Sequence, residues 1–189
     1  NNLANVLTDR GLHSEADGAY ARALVHADDA IAPQIALNRG LSLLERGDLE
    51  AAEQAFVQVL QQGVLGSSAH RYLARVERRR GNLEAAHAQL LRSLKLESQI
   101  TGARIELAEL EADRGDREAA VASFEIALAQ RPASSRAWFG LGAALRDLGL
   151  RSEALVAYRQ FLQSWPHDDA RREQVMIWID SLADGRGGS

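Results

Sequence analysis

The chain has 189 residues, with 33 Ala and 27 Leu against only 4 Phe, 3 Trp and 3 Tyr, a helix-forming composition with few bulky side chains for one large core. Its net charge of −4, with 25% charged residues, excludes a broad basic footprint for nucleic acid. No apolar run reaches the roughly 18 residues a membrane span requires, and the absence of Cys excludes disulfides, thiolate metal sites and Cys nucleophiles. The compartment stays open between cytoplasm and periplasm: Cys-free chains occur in both, and residues 1–8 lack the features of a signal peptide.

Along the chain, Gly11, Gly47, Gly81, Gly115 and Gly149 recur at intervals of 36, 34, 34 and 34 residues. Five residues after each stands Ala (16, 52, 86, 120, 154). Nine after comes a large apolar side chain (Tyr20, Phe56, Leu90, Phe124, Tyr158), and thirteen after comes Leu (24, 60, 94, 128, 162). Each Gly is read as ending a first helix in the left-handed conformation, which a Cβ disfavours. First helices are predicted near 34–46, 68–80, 102–114 and 136–148, and second helices near 14–27, 50–62, 84–97, 118–131 and 152–164. The expected N-caps are Ser14, Asp48, Asn82, Asp116 and Ser152, whose oxygens can accept from free amides of the first turn. Small residues seven before each Gly (Ala4, Gly40, Ala74, Ala108, Gly142) let the paired helices approach. A hairpin of this size cannot bury its apolar face alone, so the units must stack.

After Pro166, residues 169–182 read as one further helix. Val175, Ile179 and Leu182 share a face that can dock on the last repeat, whereas Met176 and Trp178 are expected to point away, toward another chain, another domain or a twofold mate. The competing expectation is a helix wedged among its neighbours. Residues 183–189 read as a flexible tail.

The 34-residue period and the fifth copy (Trp138, Leu141, Gly142, Ala154, Tyr158, Pro166) resemble the tetratricopeptide repeat (TPR). Leu145 replaces a common Tyr, Arg39 replaces the Leu of the other copies, and Asp28, Val64 and Ser98 stand where Pro often separates repeats. The resemblance implies an all-α fold: a right-handed α-solenoid of about five repeats (1–30, 33–66, 67–100, 101–134, 135–168) and a C-terminal capping helix, together 1–182. The first copy begins inside its first helix, as a piece of a longer chain would.

No catalytic template fits: there is no H-E-x-x-H, G-x-S-x-G or P-loop, and Gly140 and Gly142 lack the third Gly and preceding strand of a dinucleotide fingerprint. His13, His26, His70, His87 and His167 occupy different repeat positions and make no metal-ligand pair. No enzyme, metal or cofactor is therefore expected. The resemblance implies instead a non-catalytic scaffold binding a protein or peptide in a groove lined by first helices. By offset, that groove comprises Asn2, Asn5 and Asp9; Gln34, Leu37, Asn38, Leu41 and Glu45; Arg71, Tyr72, Arg75 and Arg79; Ile105, Glu106, Glu109 and Asp113; and Arg136, Phe139, Ala143 and Arg146. Arg71, Arg75 and Arg79 lie on one helical stripe suited to an acidic segment of a partner, or to pairing with the Glu106, Glu109 and Asp113 stripe.

Two specialised family sites are only partly matched. Asn5 and Asn38 fit the amides of a carboxylate clamp, but Asn1, Ser68 and Tyr72 replace its basic residues. Asn2 and Asn38 fit an asparagine ladder of the glycosyltransferase arrays, but Tyr72, Glu106 and Gly140 interrupt it. A bacterial envelope, pilus or secretion accessory module, and a substrate-recognition segment of a larger enzyme such as a glycosyltransferase, are the alternatives the resemblance leaves.

Overall fold

The computed structural model describes residues 2–183, all of whose regular structure is helical. The helices are α1 (Asn2–Asp9), α2 (His13–Val25), α3 (Ala32–Arg46), α4 (Leu49–Gln61), α5 (Gly66–Arg79), α6 (Leu83–Leu96), α7 (Thr101–Asp113), α8 (Arg117–Gln130), α9 (Ser135–Asp147), α10 (Arg151–Ser164) and α11 (Ala170–Ala183). They form two compact units, α1–α6 through Ser98 and α7–α11 from Gln99. The last six residues of the expected tail, 184–189, lie outside the described residues.

Within each unit the helices pack mainly against their neighbours in sequence, the hallmark of stacked hairpins. Gly47 caps α3 at φ 88°, and its counterparts in the other four copies also have positive φ. The residue after each Gly is the N-cap of the next helix: Leu12, Asp48, Asn82, Asp116 and Leu150. Ser14 and Ser152 are therefore inside their helices, correcting the expectation that they cap them. The fixed geometry after the left-handed Gly leaves no room for a later start. Of these five, only the Asp48 side chain accepts a capping bond, from the Ala51 amide. Asn82 instead donates to Glu77 at 2.8 Å, and Asp116 pairs with Arg114 at 3.4 Å.

The recurring Ala five after each Gly is buried in every copy, as is the large side chain nine after it. Ring and small residue are matched locally. The Phe56 ring lies so close to Gly40 that a Cβ there would stand 2.5 Å from Cε1, and the same ring is stacked with Tyr72 at 5.5 Å. Tyr158 repeats this: a Cβ on Gly142 would meet its ring at 2.6 Å, while Trp178 packs at 5.5 Å. Phe124 belongs to a copy with Ala108 in place of this Gly, and its ring leans onto Gly140 of the following helix. In the copies with Gly40 and Gly142, the ring that crowds the Gly also contacts a second aromatic.

Arg39, the departure from the repeat's Leu, pairs with Asp17 of α2 at 2.6 Å. In α9, Trp138 donates its indole N–H to the Pro132 carbonyl at 2.8 Å, tying the helix to its preceding loop.

Candidate functional site: a polar pocket on the first helices

In the first unit, α1, α2 and α3 enclose an open pocket of about 320 Å³ lined by Asn5, Thr8, Asp9, Tyr20, Asn38, Leu41, Ser42 and Glu45. Five of these, Asn5, Asp9, Asn38, Leu41 and Glu45, are groove positions named from repeat offsets. Equivalent offsets on consecutive first helices meet because the hairpins stack in register.

The buried Tyr20 hydroxyl donates to Asn5 Oδ1 at 2.6 Å, and Asn38 Nδ2 approaches the same oxygen at 3.5 Å. Gln34 Nε2 donates to Asn38 Oδ1 at 2.9 Å, orienting that amide. Thr8 Oγ1 lies 3.0 Å from both the Ala4 carbonyl and Ser42 Oγ. Burial pushes the Tyr20 pKa up; a hydrogen bond with Thr8 opposes this, and the nearby Asp9 and Glu45 carboxylates add to it. Thr8, Tyr20 and Ser42 were not named as groove residues. Tyr20 carried only the signal of a seam-filling core side chain, which its ring is, and that signal says nothing of where the hydroxyl goes.

The arginine stripe of α5 is already engaged within its unit. The Arg71 and Arg75 guanidiniums lie 5.6 and 5.3 Å from the Tyr72 ring centroid, a cation–π arrangement on the ring stacked against Phe56. Arg79 Nη1 donates to the Leu44 carbonyl near the C-terminal end of α3.

In the second unit several expected groove residues are turned into packing. Glu106 is 5% exposed, so it is not a surface ligand residue as expected; Ile105 is buried too, as is Leu37 in the first unit. Arg136 is held in a bidentate pair with Glu109, both contacts 2.6 Å, and this pairing raises the Arg136 pKa. Phe139 packs against Phe161 and Trp178 at 5.4 and 5.9 Å, with Arg171 over its ring.

Trp178 also corrects an expectation: it does not point away from the last repeat. It is half-buried against Phe139 and Tyr158, with Arg146 4.4 Å above its ring centroid. The reason is helical spacing, since positions 175, 178, 179 and 182 form one i, i+3, i+4, i+7 stripe. Met176 is 41% exposed and Ile177 60% exposed. The described residues contain no group of three or more His, Asp or Glu arranged for a metal ion, and no helix among them is long and apolar enough to cross a membrane.

Comparison with solved structures finds the same fold at low identity. A crystal structure of MamA is 20% identical with a TM-score of 0.71, covering 85% of this chain and 93% of that one. YrrB, described as a TPR protein with an unusual peptide-binding site, is 20% identical with a TM-score of 0.67, covering 95% and 89%. A thermophilic TPR protein of Thermus thermophilus is 20% identical with a TM-score of 0.71, covering 96% of each chain. No curated protein matches the chain. The tetratricopeptide repeat family matches residues 37–99 and 105–171, more than half of the length, and with the five-fold register of glycines and buried rings this places the chain in the tetratricopeptide repeat family.

Proposed function

We propose that the chain is a non-catalytic interaction scaffold that binds an extended peptide segment of a protein partner along its first helices. The observation that carries this is the pocket itself. Polar side chains from two successive repeats converge on a space of about 320 Å³, at the small end of ligand sites and suited to one peptide side chain. The paired Asn5 and Asn38 amides supply the donors and acceptors a peptide backbone requires. YrrB, which shares the fold, has a peptide-binding site by its own description.

Arg71 and Arg75, held over Tyr72, form a basic rim suited to an acidic residue of the same ligand. Met176 is a separate candidate contact for another chain, including a second copy.

The test selects peptides from a random dodecapeptide display library on the wild-type chain and measures them again on two variants. Leu41→Glu changes the pocket wall, and Leu91→Glu changes an exposed position of α6. Affinity is expected to fall by at least about tenfold for Leu41→Glu and to stay unchanged for Leu91→Glu. Peptides indifferent to Leu41→Glu would overturn the groove reading. Peptides indifferent to Arg71→Glu/Arg75→Glu would remove the acidic-segment part alone.

A further inference from the structure

Hydrogen-bond accounting makes the first-unit pocket chemically one-sided. The Tyr20 hydroxyl hydrogen goes to Asn5, and the single hydroxyl hydrogen of Thr8 has two oxygens at 3.0 Å to choose from. Apart from the amide N–H groups at the Asn5–Asn38 end and the Ser42 hydroxyl, the polar atoms lining the space are acceptor oxygens: Tyr20 and the carboxylates of Asp9 and Glu45. Among the described residues no Arg, Lys or His pairs with either carboxylate, whereas Asp17, Asp48, Glu53 and Glu77 of the same unit are each held by an Arg.

The position of these two acids is also locally unfavourable. Asp9 ends α1, and Glu45 lies in the last turn of α3, so each carboxylate faces the negative end of its own helix dipole. Helix stability would place a cation or a neutral residue there. Arg46 and the Arg79 guanidinium on the Leu44 carbonyl offset the α3 end, so the negative potential of the pocket comes chiefly from its two unpaired carboxylates, which add to burial in raising the Tyr20 pKa.

We propose that this pocket receives a cationic side chain, Arg or Lys, of the bound peptide, its charged head between Asp9 and Glu45 and its methylene stem along Leu41 and the edge of Tyr20. The inference rests on the peptide-binding reading and sharpens it. The ligand carries a basic residue at this pocket, with its backbone toward the Asn5–Asn38 amides. The methylene stem suits the apolar wall, as long basic side chains bury their stems while keeping the head polar.

The experiment uses the same random dodecapeptide display library, with acetylated N-termini so that no terminal ammonium competes, selected on the full chain at low salt. Enriched peptides are then titrated against wild type and Asp9→Asn/Glu45→Gln, and resynthesised with the basic residue replaced by citrulline or norleucine. Arg or Lys is expected at one fixed position. Affinity should drop about tenfold or more on either the protein or the peptide change, and these losses should not add. It should also weaken with rising salt. The double variant removes charges from helix C-termini, so its helicity and melting midpoint should match or exceed those of wild type. Peptides that bind in a Leu41→Glu-sensitive manner, yet lack a fixed basic residue and bind the double variant equally well, would overturn this inference and leave the peptide-binding reading intact. A library that enriches nothing would overturn both.

Discussion

Gly40→Ala is the sharpest test of how these repeats are packed. Helix propensity alone predicts stabilisation by about 1 kcal/mol, since Gly40 lies in the interior of α3. The structure predicts the opposite. The added Cβ would stand 2.5 Å from Phe56 Cε1 and 2.9 Å from Cδ1 and Cζ, against an ordinary carbon contact of about 3.5–4.0 Å. The ring must retreat by about 1 Å, but it is fully buried and already stacked with Tyr72 at 5.5 Å. Overpacking of this kind costs about 1–3 kcal/mol. With the ring fully buried and in stacking contact the upper part of that range applies, leaving a net loss of about 1–2 kcal/mol. The assay is the urea midpoint followed by circular dichroism, for Gly40→Ala, Tyr72→Ala and the pair. Removing Tyr72 gives the ring somewhere to go, so the double variant should be more stable than the sum of the singles by about 1 kcal/mol, although residues 40 and 72 are linked only through Phe56. A rise in stability for Gly40→Ala, or additivity within about 0.5 kcal/mol, would refute the reasoning.

The other expectations are more direct. The Tyr158 pKa is pushed up to about 12, first by burial and further by Asp147, with Arg146 opposing. The unfolded chain therefore releases this proton near pH 10 while the folded chain keeps it, and stability falls as pH rises from about 10 to about 12, by about 1 kcal/mol at pH 11. Urea midpoints should show Tyr158→Phe losing that part of the alkaline slope. At neutral pH it should be neutral or slightly stabilised, because the buried hydroxyl makes no hydrogen bond among the described residues. Leu65 occupies the left-handed region at φ 53°, so Leu65→Asn is expected to raise stability by about 0.5–1 kcal/mol; a loss would show that its side-chain contacts outweigh the strain. Trp178→Ala should cost about 2 kcal/mol through lost contact with Phe139 and Tyr158 while leaving the molar mass by light scattering unchanged; a fall in mass would place the ring in an interface instead.

The periodicity made the hairpins legible because stacked repeats impose the same requirement at the same offset each time: a left-handed glycine, a small residue, a ring. Asn5, Asp9, Asn38, Leu41 and Glu45 could be placed together for the same reason. Requirements set by a neighbour's particular side chain could not be read this way. Gly40 and Gly142 are interchangeable small residues by offset, yet each crowds a ring that also contacts a second aromatic, Tyr72 in one case and Trp178 in the other. Glu106 was assigned to the groove by charge and offset, and only coordinates show that the side chain is buried. Ser14 and Ser152 suit a cap by residue type, but spacing decides: with the cap fixed one residue after Gly, copies one and five use Leu12 and Leu150.

Packing between successive helices within each unit also bears on how the protein folds. Nearly every stabilising contact inside a unit joins segments less than about one repeat apart, so little loop-closure entropy must be spent before a contact forms. Low contact order of this kind favours rapid folding. It also lets opening begin at an outer hairpin without dissolving its neighbours at once. Amide hydrogen exchange should then be graded along each unit, fastest in terminal helices such as α1, and a destabilising substitution should leave its largest mark on the hairpin that carries it.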